Sequence, residues 1–380
     1  MRGMPAKVPS FEAAPGDVAT LVEAIPLLTP KACDERLLAL GYRGQPHARR
    51  AASVLAYRHV RRLRRVHLEG LPAEALGPRE NYLFIGPTGC GKTFLVELLF
   101  RDILQVPTIT VDITQYSETG YVGDDVSMIL SRLFEVAEQD LEWAACGVVC
   151  IDEFDKLASS RSSARFAGEG TTKDVSGFGV QRGLLTLLSG REAPFPVDFG
   201  YAHMGPKLVM PLANLSFIAC GAFSGLKTTA DLLGTGERIG FGRQSAPFSP
   251  EAIAVKLGDD VLEQTAAFAR YGFLPELIGR FSRVVAFAPL DAATLRSILE
   301  DAVLRDYRQE FAAEGLDLVV DDDVLESLVT RSVKRELGAR GLRATLVPYL
   351  EQAAYDHFGS ARAGKVRLSL QGETIVVHTE

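Results

Sequence analysis

Between residues 82 and 152 the chain alternates short apolar runs with segments of helical period. "NYLFIG", "TITVDIT" and "GVVCIDEF" read as strands, while "KTFLVELLFRDIL" and "DVSMILSRLFEVAEQDLEWA" place apolar residues three and four apart. Strands of this kind, buried on both faces and separated by helices, predict an α/β domain with a parallel sheet between helical layers. Upstream, residues 34 to 67 predict a short helix, a break from Gly41 to Pro46, and a long helix. Residues 1 to 30 are rich in Pro, Ala and Gly and predict a flexible extension.

Three Gly-, Ser- or Pro-rich stretches, 158–179, 190–211 and 234–251, read as loops long enough to be functional. After "APLD" (288–291) the pattern turns helical and closes with a short strand pair, "KVRLSL" and "TIVVHT". The predicted organisation is an extension (1–30), a large α/β domain (31–288) and a smaller, mainly helical α+β domain (289–380).

The 380 residues, 47% hydrophobic and 23% charged, suffice for both cores. The net charge of 41 − 48 = −7 argues against a general nucleic-acid binder. The one concentrated basic run, "RHVRRLRRVH" at 58–67, reads as the solvated face of a helix. Cys33, Cys90, Cys146, Cys150 and Cys220 are scattered without a CxxC pair, which points to a reducing compartment and to packing roles. No apolar run reaches membrane-spanning length and the N-terminus lacks the apolar core of a signal peptide, so the expected location is cytoplasmic.

"GPTGCGKT", residues 86–93, fits GxxxxGK[ST] between a strand and a helix. In such a loop Gly86, Pro87, Thr88, Gly89, Cys90 and Gly91 turn backbone N–H groups inward around phosphates. Lys92 would reach the β and γ phosphates of ATP, and the Thr93 hydroxyl would ligate Mg²⁺. "VVCIDE", 148–153, supplies the second half: Asp152 to hold Mg²⁺ through water, and Glu153 to polarise the attacking water. Together they predict a P-loop nucleotide hydrolase.

"GPTGCGKT", "TGYVGDDV", "CIDEFDKL", "DVSGFGVQRGLL", "FIACGAF", "IGFG", "YGFLPELIGRF" and "GARGLR" occur in one order between residues 36 and 358. Together they resemble the ClpX family of AAA+ unfoldases, rings that feed proteins to the ClpP peptidase. The resemblance implies a P-loop AAA+ large domain followed by a small lid domain, assembled as a homohexamer with ATP between subunits. It casts Arg280 as an arginine finger reaching a neighbour's site, and Arg340 as the arginine tying the small domain to its own subunit's nucleotide. It casts Gly120, Tyr121, Val122 and Gly123 as a pore loop gripping polypeptide, with Lys173 and Asp174 on a second channel loop. Ile239, Gly240 and Phe241 match the tripeptide that docks on ClpP.

An apolar tip between glycines suits a grip on any side chain. One tyrosine burying ~100 Å² contributes ~2–3 kcal/mol against the ~5–15 kcal/mol holding a typical domain, so several loops must act together.

The chain departs from the family in places. No four-cysteine set exists for the family's zinc-binding domain, and 190–211 carries His203 and Lys207 but no Arg-Lys-His triplet. Arg43 stands in "GYRGQ" where the family has an aliphatic residue beside the base, and Cys220 near the sensor-1 position is given no role. Two other readings are a non-proteolytic remodeller of a specific complex and a DNA-directed AAA+ motor. The acidic charge balance and the aromatic pore tip weigh against the DNA motor.

Overall fold

The computed structural model describes residues 17–117, 125–161, 177–197, 207–224, 226, 261–334, 338–359, 364–372 and 374–379. Its strands are β1 (Tyr82–Ile85), β2 (Thr108–Asp112), β3 (Val148–Asp152), β4 (Glu192–Pro196), β5 (Lys207–Pro211), β6 (Ser216–Gly221), β7 (Arg283–Ala286), β8 (Leu316–Val320), β9 (Gly364–Gln371) and β10 (Thr374–Thr379). The order β2-β3-β6-β1-β7 makes one all-parallel sheet, as the alternation predicted. Side chains alternate across it: Leu83 and Ile85 enter the core on one face, Tyr82 and Phe84 the core on the other. Burial on both faces explains why these strands are apolar throughout. Their carboxyl ends all point to one edge, where β3 finishes on Asp152.

On one face lie α2 (Pro30–Ala39) and α3 (Pro46–His67), whose Leu55, Val60 and Leu63 are fully packed. Part of the expected extension is helical. Val18–Ala24 forms helix α1, capped by Asp17 and anchored on the same core by Val18, Val22 and Ile25. The basic run is likewise more than a solvated face. Arg58, Arg61 and Arg65 pair with Glu80 and Glu69. Arg62 bonds the carbonyls of Ala73 and Gly77, and Arg64 those of Glu23 and Ile25.

Three further expectations are corrected. The helix predicted over 125–144 divides into Met128–Val136 and Leu141–Ala144, because Glu138 and Gln139 take positive φ and Asp140 recaps the second piece. Within the loop predicted at 190–211, β4 and β5 pair as an antiparallel ribbon. The second core includes β8, which lies parallel to β9 in a sheet ordered β10-β9-β8 and packs under helices Asp322–Lys334 and Gly338–His357. Among the described residues no helix is long and apolar enough to cross a membrane.

Candidate nucleotide site

β1 ends at Ile85 and hands the chain to the phosphate loop under tight steric control. A Cβ on Gly86 would lie 2.5 Å from the Phe287 carbonyl oxygen, so only glycine fits. Helix α4 (Lys92–Val96) starts at Gly91 with φ +93, and continues as π-helical turns from Glu97 to Ile103. Lys92 is 8% exposed, and its ammonium donates to the carbonyls of Gly86 (2.6 Å) and Pro87 (2.8 Å). The cation therefore sits inside the curl of its own loop. The Cys90 sulfur lies 3.8 Å from it; burial nonetheless pushes that thiol's pKa up, against the pull of Lys92.

The Thr93 hydroxyl donates to Asp152 Oδ2 at 2.8 Å, so the residues predicted as metal ligands from two separate elements meet. Two oxygen donors at this spacing, facing an open cavity, suit a hard cation such as Mg²⁺. Glu153 follows with φ +54, an uncommon conformation for a side chain of this type, and its N–H donates to Asp152 Oδ1 at 2.9 Å. That turn lifts Glu153 off the strand direction and into the cavity wall.

Asp155 was missed by sequence reasoning, although it stands in "DEFD". It is 3% exposed, and its carboxylate accepts the Ala222 N–H at 2.9 Å, tying the end of β6 to the end of β3. Next to Glu153, Phe154 packs on Phe273 (5.1 Å between centroids) and on Phe281 (5.5 Å), the residue after Arg280. The predicted base and the predicted finger thus rest on one aromatic contact.

A cavity of about 410 Å³ opens over the loop. Thr88, Gly89, Lys92, Thr93, Phe94, Asp152 and Glu153 line one side. The small domain supplies the other, with Ile298, Val303, Tyr307, Arg340 and Arg343. Arg343 and Tyr307, 5.8 Å from guanidinium to ring, were not foreseen. The small domain touches the loop directly: the Ala339 N–H donates to the Gly89 carbonyl at 3.1 Å. A Cβ on Gly338 would come within 2.6 Å of that same oxygen.

The exposed side chain of Arg280 does not line this cavity, and its carbonyl accepts from Asn81. Cys220 is buried with its sulfur 3.8 Å from that of Cys150. Residues 120–123 and 239–241, with Lys173, Asp174 and His203, lie outside the described residues. Lys207 opens β5 and is exposed.

A phosphate loop, paired acids at the sheet's carboxyl edge and an arginine from a second domain in one cavity define an ATPase of the P-loop class. Residues 82–219 match the model of the ATPase family associated with various cellular activities (AAA), and 290–365 match that of the C-terminal, D2-small domain of ClpB protein. The chain is 36% identical over 326 residues to the "ATP-dependent Clp protease ATP-binding subunit ClpX" of Azotobacter vinelandii, covering 82% of this chain and 71% of the relative. It is 38% identical over 291 residues to "ClpX 3" of Methylococcus capsulatus, covering 73% and 64%, and 35% identical over 284 residues to ClpX of Treponema denticola, covering 74% and 66%. It belongs to the ClpX family of AAA ATPases. It spans about two thirds of the length of these curated relatives.

Proposed function

We propose that this chain is an ATP-driven protein unfoldase and translocase, working as a homohexameric ring that threads polypeptide and delivers it to a ClpP-type peptidase. The observation that carries the ATP-driven part is the meeting of Lys92, Thr93, Asp152, Glu153 and Arg340 around one cavity between two domains. In use, Lys92 leaves its two carbonyl partners for the β and γ phosphates of ATP. Thr93, and Asp152 through water, would hold Mg²⁺, which would supply neutralisation of charge on the transferred phosphoryl group. Glu153 orients the attacking water and accepts its proton. Arg340 senses the phosphates from the small domain, and Arg280, exposed on the surface, reaches a neighbouring subunit's site. Movement of the small domain against the phosphate loop converts hydrolysis into motion. Tyr121 and Val122, between Gly120 and Gly123, grip the substrate, and Ile239, Gly240 and Phe241 dock the peptidase.

The test is a folded reporter carrying candidate degradation tags, followed by loss of its structure on addition of ATP. Glu153→Gln should bind ATP, turn over ~10²–10⁴-fold more slowly and unfold nothing. Wild type that hydrolyses ATP yet unfolds neither tagged nor native partners would defeat the unfoldase reading. Tyr121→Ala should hydrolyse ATP and thread poorly; undiminished threading would remove that residue from the grip.

A further inference from the structure

Segment 41–45 touches three parts of the nucleotide machinery at once. The Tyr42 hydroxyl donates to the Gly91 carbonyl of the phosphate loop at 3.2 Å, and its ring stacks beside Phe94 at 6.0 Å. Gln45 makes a matched pair of hydrogen bonds with Ala288, where the chain leaves for the small domain: its amide donates to the carbonyl at 2.6 Å and accepts the N–H at 2.9 Å. Between them, Arg43 reaches into the small domain. Its Nε and Nη2 lie 3.1 and 3.0 Å from one carboxylate oxygen of Asp301.

The guanidinium is not free to wander. Its Nη1 donates to the carbonyls of Leu38 and Tyr42, so its opposite edge is already aimed at Asp301. Asp301 precedes Ala302, which lines the nucleotide cavity, and a Cβ on Gly41 would lie 3.8 Å from the Ala302 side chain. The ion pair therefore closes at the rim of the cavity, one residue from Tyr42 and its bond to the phosphate loop. Side chains 27% and 48% exposed make a weak contribution to folding. Their position gives them leverage of another kind, over how often the small domain lies against the loop.

We propose that Arg43–Asp301 is a salt-sensitive latch holding the small domain in the arrangement that places Arg340 in the nucleotide cavity, and that Arg43 is thereby a positioning residue for nucleotide binding. The inference rests on the nucleotide-site reading above. A ligand that binds only the closed arrangement carries the cost of closing it, so weakening the latch weakens apparent affinity and spares turnover at saturation. An exposed pair of this type sets the expected size at about two- to fivefold in Kd.

The experiment measures the Kd of a fluorescent ATP analogue, kcat at saturating ATP and the Tm for four full-length proteins: wild type, Arg43→Asp, Asp301→Arg and the double reversal. Each single reversal should weaken binding at least two- to fivefold with kcat close to wild type, and the double reversal should recover most of the loss. Raising ionic strength should bring wild type toward the single variants. Single variants that bind like wild type, a double reversal no better than either single, or affinity losses that merely track Tm would overturn the latch while leaving the nucleotide site standing. Wild type that binds no nucleotide would overturn the site reading and the latch with it.

Discussion

The Thr93 hydroxyl and the Asp152 carboxylate, 59 residues apart in sequence, lie 2.8 Å apart at the head of α4 and the tail of β3. Replacing Asp152 with Asn preserves an oxygen for that hydrogen bond and removes the charge. Nucleotide binding without divalent cation should change little, while magnesium-dependent hydrolysis should fall about 10–100-fold. Titrating Mg²⁺ against ATP turnover in both proteins checks this. Equal magnesium midpoints and rates would mean that Asp152 serves only as a hydrogen-bond acceptor.

Asp155 provides a second handle on the same edge of the sheet. Its buried carboxylate satisfies the Ala222 N–H, so Asp155→Ala leaves that donor without this partner. We expect a loss of about 1–3 kcal/mol in urea unfolding together with slower hydrolysis. A variant as stable as wild type would show that water or a neighbouring group replaces the carboxylate without cost.

Gly338 meets the phosphate loop in a conformation that L side chains rarely adopt, with φ +56 and the Gly89 carbonyl directly in the path of any Cβ. Gly338→Ala should therefore push the small domain off the loop. The strain, about 1–3 kcal/mol, predicts nucleotide binding weakened ~10-fold or more. Calorimetric titration with an ATP analogue reads the effect. Unchanged affinity would imply that nucleotide binding does not need this contact.

The legibility of the chain divides along physical lines. The phosphate loop and the acids of β3 were readable because each is a local pattern whose spacing fixes its chemistry. Helix 18–24 was not: Val18, Val22 and Ile25 keep helical spacing, but over two turns only, directly behind a stretch rich in Pro, Ala and Gly. The β4–β5 ribbon hid behind the prolines at 194, 196 and 211, which discourage a strand assignment. Partnerships such as Arg43 with Asp301, or Phe154 with Phe281, join distant stretches and leave no local mark. The Arg43 departure from the family was visible; where its side chain turns was not.

His59 ties the long helix to the sheet. Its Nε2–H donates to the Cys146 carbonyl at 3.0 Å, so Nδ1 accepts from the Ser216 hydroxyl, also at 3.0 Å. Burial holds its pKa down to about 4 from 6.5. The unfolded chain therefore binds a proton between those values that the fold refuses. The His59 contribution to stability should be level above pH 6.5 and fall by on the order of 3 kcal/mol as the pH drops to 4. His59→Gln should be less stable at neutral pH and lose less over the same interval, in urea melts across pH 7.5 to 4. Parallel pH profiles for the two proteins would exclude His59 as the source.

All five thiols are shut away from solvent, and burial lifts Cys33 to about 11 and Cys146 to about 12. The native chain should thus be almost silent toward maleimide. A single cysteine placed on the rim of either domain would be the one reactive handle, so dyes could report domain closure without first stripping the protein of its own sulfur.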